Sequence, residues 1–288
     1  MRVSWLPTSI DLTKTAESGQ TSALRVSKHQ FIHAVNLARS FDHYYSGVRP
    51  VIIDGIPTVD FSTPKQHFYY GLNMLLEMPS FTENISMESW YFKWGQPKLG
   101  DTVFDLGANI GICTIFLANA VGPLGLVVAV EPDPINFAAL EKNIRSSGAK
   151  NVRLLQSAVS VAKGRAEFFA DGTAGSGLKS DRGASITTHP EGDIVSVETT
   201  TLIDIARQYG IPTYIKLDIE GSEIGVLEHS RSWLSQHRPL LVIDTDHIVE
   251  NATTEVRVAN CLAACNFTTH FEVATSARPA MLYANPSP

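Results

Sequence analysis

Asp105-Leu-Gly-Ala-Asn-Ile-Gly111 separates a short β-rich run from an apolar helical pattern. In an open α/β sheet, nucleotide-like ligands bind at such a turn, outside the carboxyl end of a strand. Gly107 permits a tight turn and close backbone approach, and Gly111 permits close helix packing. The next apolar run ends in Glu131, placed where an acidic side chain accepts hydrogen bonds from both hydroxyls of a ribose. Two kinds of ligand compete for this turn. A dinucleotide favours Gly-x-Gly-x-x-Gly with its pyrophosphate at the helix N-terminus, but Asn109 replaces the middle glycine and the strand ends in Asp105. A carboxylate there repels a pyrophosphate and helps to hold an ammonium, directly or through water. The charge argument therefore favours S-adenosylmethionine.

Methyl transfer from a sulfonium needs an acceptor about 3 Å from the methyl carbon and a group that removes the hydroxyl proton. Lys216, Asp218 and Glu220 alternate along the end of a run read as a strand over Tyr214–Ile219. Alternation along an extended chain puts all three on one side, a charged row where chemistry is expected. A competing reading gives Glu220 and Glu223 to the first turn of the next helix, where carboxylates suit the dipole. Only Glu220 extends the strand row, so Glu223 is assigned to the helix. One strand further, Asp244-Thr-Asp-His247 follows the buried run Leu240–Ile243. His247 is the general-base candidate, because an unperturbed histidine titrates near neutrality. Alternatively, Asp218, Asp244 and Asp246 gather a Mg²⁺ ion, since hard cations favour oxygen ligands and such an ion can acidify a hydroxyl.

The elements that position these residues alternate from Asp101 onward. Strands are expected at Thr102–Leu106, Leu126–Glu131, Val152–Gln156, Tyr214–Ile219 and Leu240–Asp244, with a β extension through Ala166–Phe169. Helices are expected at Ile110–Val121, Pro134–Ser147, Thr201–Tyr209, Glu223–Leu234 and Thr254–Cys265. Alternation of this kind implies a mostly parallel sheet with helices on both faces. Two last runs, Phe267–Glu272 and Ala280–Ala284, lack an intervening helix and predict one antiparallel edge strand. The Gly- and Ser-rich stretch from Asp171 to Asp193 is too long for an ordinary connection and reads as a lid or substrate loop. Before residue 100 the pattern is different: an irregular Thr/Ser/Gly-rich segment over 1–22, an amphipathic helix over Lys28–Tyr45, a hairpin over Val51–Phe61 and a connector over Pro79–Trp94. Residues 1–85 are expected to form an accessory segment capping the acceptor side, and 86–288 the S-adenosylmethionine-binding domain.

Three ordered blocks carry a family resemblance. Gly100-Asp-Thr-Val-Phe-Asp-Leu-Gly-Ala-Asn-Ile-Gly111, Val130-Glu-Pro-Asp-Pro134 with Asn136, and Lys216-Leu-Asp-Ile-Glu-Gly-Ser-Glu223 together resemble the FkbM family of methyltransferases, over about residues 85–250. The resemblance implies a class I methyltransferase (Rossmann-like) fold with a seven-stranded sheet, and O-methylation of sugars, glycolipids or polyketides in natural product biosynthesis. It places Asp105, Gly107, Ala108, Asn109 and Gly111 on the methionine portion of the cofactor, Glu131 and Pro132 in the ribose block, and Ser157-Ala158 beside the adenine. The family often has Glu-x-His after the fifth strand, where this chain has Asp244 and one extra residue before His247.

Other classes fit less well. The formal net charge of −6 gives no global pull toward phosphate backbones or anionic lipid, so nucleic acid is not the expected partner. The place of the Asn/Asp-Pro-Pro-aromatic block of exocyclic base methyltransferases holds Asp218-Ile-Glu-Gly221. His29 and His33 lack the glutamate of a zinc-protease helix. Cys113, Cys261 and Cys265 have no zinc spacing and read as small core residues. The triplets at Asn84, Asn251 and Asn266 match glycosylation acceptors by chance, since Met1 to Leu12 does not read as a signal peptide. The apolar stretch from Ile110 to Val130 is broken by Gly122-Pro123-Leu124-Gly125 and reads as helix–turn–strand, so no membrane span is expected. The expectation is a cytoplasmic enzyme with a small hydroxylated acceptor, and a homodimer is compatible with it. A nicotinamide oxidoreductase and a non-catalytic scaffold remain the rival readings.

Overall fold

The computed structural model describes residues 9–15, 21–27, 49–53, 56–60, 66–70, 74–78, 91–170, 176–182, 193–245, 247–249, 252–273 and 280–287. The chain divides into two compact units, Met1–Ser86 and Met87–Pro288. In the first, β1 (Ser9–Thr15) and β2 (Thr21–Ser27) pair antiparallel. The irregular segment expected over residues 1–22 is corrected by this hairpin, whose backbone register pairs Leu12 with Leu24 and Ile10 with Val26. A second sheet has the order β3-β4-β6-β5, built from β3 (Arg49–Ile53), β4 (Ile56–Asp60), β5 (Gln66–Tyr70) and β6 (Met74–Met78). β3 and β4 form the hairpin expected there. The helix expected over 28–45 lies outside the described residues, as does most of the 79–94 connector.

The second unit is built on a seven-stranded sheet. Its strands are β7 (Thr102–Leu106), β8 (Leu126–Val130), β9 (Val152–Leu155), β14 (Tyr214–Leu217), β15 (Leu240–Asp244), β18 (Phe267–Glu272) and β19 (Met281–Pro286), in the order β18-β19-β15-β14-β7-β8-β9. Chain direction through the sheet switches beside β7, which lies between β14 and β8 and pairs with both in parallel. The last four of the five residues of β7, β8 and β15 are buried in each strand, as a strand covered on both faces requires. One face, with Phe104, Leu106, Val128, Val130, Ile215, Leu217 and Leu241, packs on α4 (Leu202–Tyr209), α5 (Glu223–His229), α6 (Arg231–His237) and α7 (Glu255–Ala263). The other lies under α1 (Ile112–Val121) and α2 (Pro134–Ser147), where Gly111 meets Leu140 and Phe92 stacks on Phe116.

The expected antiparallel edge strand is corrected in position. β19 is antiparallel to both β15 and β18, and β18 is the edge. The crossover through α7 carries β18 one strand beyond β15, and the short connection back inserts β19 into the slot, because a hairpin link favours antiparallel pairing. A second, smaller sheet was not expected. β10 (Ala158–Val159), β11 (Gly164–Ala170), β12 (Gly177–Leu178) and β13 (Asp193–Thr200) pair in the order β10-β13-β11-β12. The long loop expected from Asp171 to Asp193 is thus interrupted by β12 and by α3 (Lys179–Arg182). Residues 171–175 and 183–192 lie outside the described residues. No described helix is long and apolar enough to cross a membrane.

Candidate active site

A cleft opens at the carboxyl ends of β7, β8 and β14, where ligands of open α/β sheets bind. Gly107, Asn109, Glu131, Pro132, Ser157 and Ala158 line it, as do Asp218 and Glu220. Of the residues expected to touch the cofactor, Asp105, Ala108 and Gly111 are behind this lining. Among the four catalytic candidates, Lys216 and His247 do not line it either.

The β7–α1 turn is satisfied by its own surroundings. The amides of Gly107 and Ala108 both donate to the Val130 carbonyl, at 3.0 and 2.9 Å. The Asn109 amide donates to Glu131 Oε2 at 2.8 Å, and that of Ile110 to Asn109 Oδ1 at 2.7 Å. A pyrophosphate needs such N–H groups pointing at it, and these four point elsewhere. Glu131, 5% exposed, also accepts from the Asp133 amide at 2.9 Å. A carboxylate has about four acceptor positions, so two backbone donors leave room for ribose hydroxyls. Burial pushes the Glu131 carboxyl up to about 8, against the pull of the Asp133 and Asn109 amides.

Asp105 is matched by a cation, which the charge argument from sequence did not foresee. Its Oδ1 stands 3.3 Å from Lys216 Nζ, and its Oδ2 accepts from Thr114 Oγ1 at 2.6 Å. The reading of Asp105 as a bare carboxylate beside the ligand is corrected accordingly. Lys216 also donates to the Gly107 carbonyl and lies 3.7 Å from Asp218 Oδ2. Burial alone lowers an ammonium's pKa, but Asp105 and Asp218 outweigh it and hold Lys216 charged. Lys216 therefore braces the ends of two strands behind the cleft.

The charged row is not continued by strand alternation. β14 ends at Leu217, and Glu220 and Gly221 adopt left-handed φ values of 56° and 101°. Both oxygens of Glu223 hold this turn, accepting from the Ile219 amide at 2.8 Å and the Gly221 amide at 3.0 Å. Its assignment to a simple helix-dipole role is corrected: Glu223 is fully buried, and its Oε1 is also 3.2 Å from His247 Nδ1. His247 Nε2 in turn lies 3.7 Å from Asp218 Oδ1 and 3.6 Å from Glu220 Oε2. Burial works against a charged imidazole, yet Glu220, Glu223 and Asp218 together raise its pKa well above 6.5. That direction works against the neutral imidazole expected of a general base. Glu220 is pushed upward by burial, against the opposing pull of His247.

The oxygen-only set considered for Mg²⁺ is not grouped among the described residues. Among the described residues, Asp218, Glu223 and His247 bring ligand-type atoms within 4.8 Å of one another. Asp244 ends β15 outside that group, and Asp246 lies outside the described residues. An imidazole and a carboxylate already engaged by two amides suit Mg²⁺ poorly, and no metal ligand is assigned.

Val159, Phe168, Ser176 and Leu178 also line the cleft, from the smaller sheet and the segment before β12. Ser176 and Leu178 fall in the 171–193 stretch read as a lid or substrate loop, whereas Val159 and Phe168 were not singled out from sequence. Ser176 Oγ donates to Asp133 Oδ2 at 2.6 Å, while Asp133 caps α2 through the Ile135 and Asn136 amides. Nothing local to Ser176 signals this long-range contact. Asn136 lines the cleft as well, and the second sequence block had included it.

This strand order, with a cleft at the switch point, defines a Rossmann-like class I methyltransferase fold. The family described as Methyltransferase FkbM domain matches residues 105–268. The chain belongs to that family. It is 34% identical over 155 residues to the 31-O-demethyl-FK506 methyltransferase FkbM of Streptomyces tacrolimicus, covering 44% of this chain and 58% of that one. The crystal structure of methyltransferase FkbM from Methylobacillus flagellatus KT superposes with a TM-score of 0.50 at 21% identity, over 68% of this chain and 47% of the other. The chain thus spans little more than half the length of the curated relative it matches.

Proposed function

We propose that this chain is an S-adenosylmethionine-dependent O-methyltransferase acting on a hydroxyl of a small molecule, of the sugar, glycoside or polyketide natural-product class. One observation carries the cofactor: the turn amides serve Val130, Glu131 and Asn109, while the buried Glu131 carboxylate lines the cleft. That arrangement suits ribose hydroxyls and gives a pyrophosphate nothing to bind, which disfavours the nicotinamide reading. Glu131 would hold the ribose, the wall at Ser157 and Ala158 the adenine, and the turn at Gly107 and Asn109 the methionine portion. Bound there, S-adenosylmethionine supplies an electrophilic methyl group.

The chain's own residues then handle the acceptor and its proton. Asp218 and Glu220 line the cleft with side chains 31% and 26% exposed, so a hydroxyl can reach them. Asp218 stands between Lys216 and His247, 3.7 Å from a nitrogen of each. It accepts the hydroxyl proton as the oxygen takes the methyl group, and passes that proton to solvent. The 171–193 segment would help to select the acceptor. The relative's name gives a first acceptor to test.

The test is mass spectrometry of reactions with S-adenosylmethionine and a panel holding 31-O-demethyl-FK506, hydroxylated glycosides and polyketides. The expected result is a methylated product whose yield drops at least ~100-fold in Asp218→Asn, in line with loss of an acid–base group. A chain that binds the cofactor yet methylates nothing on the panel returns the scaffold reading.

A further inference from the structure

Glu223 has three partners, and a turn-stabilising role uses only two. The amides of Ile219 and Gly221 occupy its two oxygens and fix the left-handed turn that lifts Asp218 and Glu220 to the cleft. The third partner, His247 Nδ1, comes from a different segment beyond β15 and is not needed to hold the turn; it stands 3.2 Å from Oε1 as an ion-pair contact, off the line of a hydrogen bond. Since Nδ1 faces a fully buried carboxylate, only Nε2 is directed at Asp218 and Glu220. A carboxylate that grips one imidazole nitrogen fixes the ring's orientation and the position of its proton, leaving the other nitrogen to the reacting groups.

We infer that Glu223 is the positioning residue of this site, pinning His247 through Nδ1 so that Nε2 bridges the two cleft-lining carboxylates, Asp218 and Glu220. The inference rests on the proposed methyl-transfer reading. Without the bridge, two carboxylates that share the cleft repel each other. With it, Asp218 stays aimed at the acceptor while the O–H bond breaks. The proton goes to Asp218, and the oxygen's electron pair forms the bond to the methyl carbon as the sulfonium bond breaks onto sulfur. The charges facing His247 come from both sides of the loop: Asp218, Glu220 and Glu223, with Lys216 behind Asp218. On the nearby α3, Lys179 is taken up by Glu167 at 3.0 Å.

The test is proton NMR of the full chain with nitrogen-labelled histidine at neutral pH, together with calorimetric binding of S-adenosylhomocysteine. A downfield Nδ1–H signal, assigned by its loss in His247→Asn, is expected in the wild type and absent in Glu223→Gln. Glu223→Gln should bind S-adenosylhomocysteine within about twofold of wild type, while kcat on the acceptor found above falls at least ~10-fold. Glu223→Asp should recover part of that loss. A wild type without the Nδ1–H signal overturns the inference, as does a Glu223→Gln chain that loses cofactor affinity in step with kcat. If Glu223→Gln does not fold, the wild-type and His247→Asn spectra still decide. Failure of the methyl-transfer reading shows separately, as a wild type that does not bind S-adenosylhomocysteine.

Discussion

The Lys216 ammonium stands 3.3 Å from Asp105 Oδ1, directly across the register of two parallel strands, with both side chains buried. Truncating one partner leaves an uncompensated charge in the interior. Lys216→Met should therefore destabilise the chain by about 3–5 kcal/mol, and adding Asp105→Leu should recover much of it. Urea unfolding of the two variants measures both effects. A single variant within about 1 kcal/mol of wild type contradicts the pair's bracing role.

Glu131→Ala should weaken S-adenosylhomocysteine binding by about 1–3 kcal/mol, the worth of hydrogen bonds to a charged group. The same carboxylate predicts a pH dependence. Burial raises its pKa to about 8, and hydroxyl donors favour the ionised form, so binding releases protons. Affinity should rise between about pH 6 and about pH 9, and the slope should disappear in Glu131→Ala. Calorimetry across that range checks it; affinity that falls with pH contradicts the role.

Gly107 is the turn's least replaceable position. At φ +82°, a Cβ there would lie 1.7 Å from the Asp218 carbonyl oxygen, which is backbone and cannot swing away. Gly148, at φ +70°, has nothing within 4 Å of the same atom. Gly148→Ala should cost only the left-handed strain of about 1–2 kcal/mol and leave cofactor binding unchanged. Gly107→Ala should cost more and abolish binding, because it displaces the loop that presents Asp218. Thermal melts and calorimetry of the pair decide.

His247 should give the chain an alkaline weakness. Its folded pKa is raised above 6.5 because Glu220, Glu223 and Asp218 outweigh burial. A raised pKa means that the folded chain binds the proton more tightly, so the stabilisation is complete below about pH 6.5 and is lost as pH rises through the folded value. The difference in melting temperature between wild type and His247→Asn should therefore be largest near pH 6 and shrink above it. A difference that grows with pH contradicts the raised pKa.

The parallel core was legible because its punctuation is local. Val103 to Leu106 and Val127 to Val130 are unbroken buried runs, and Pro134 and Thr201 open helices where side-chain chemistry favours a start. Glu131 followed from its place at a strand end. The role of Glu223 did not, because strand alternation assumes an extended backbone beyond Leu217, and the chain instead turns left-handed at Glu220. Spacing alone cannot show that turn, nor that His247 returns to it. The pairing of Lys216 with Asp105 depends on strand register, which separate motifs do not contain. β13 did carry a signal, since Val195, Val197 and Thr199 alternate toward the smaller sheet's interior, but no element was assigned to that run from sequence.

Calorimetric titration of the full chain with S-adenosylhomocysteine, with NAD as the control, tests the central claim most directly. The arrangement of the Gly107–Ile110 amides and Glu131 predicts saturable binding of S-adenosylhomocysteine and none of NAD. A folded chain that binds NAD, or that binds neither ligand, contradicts it.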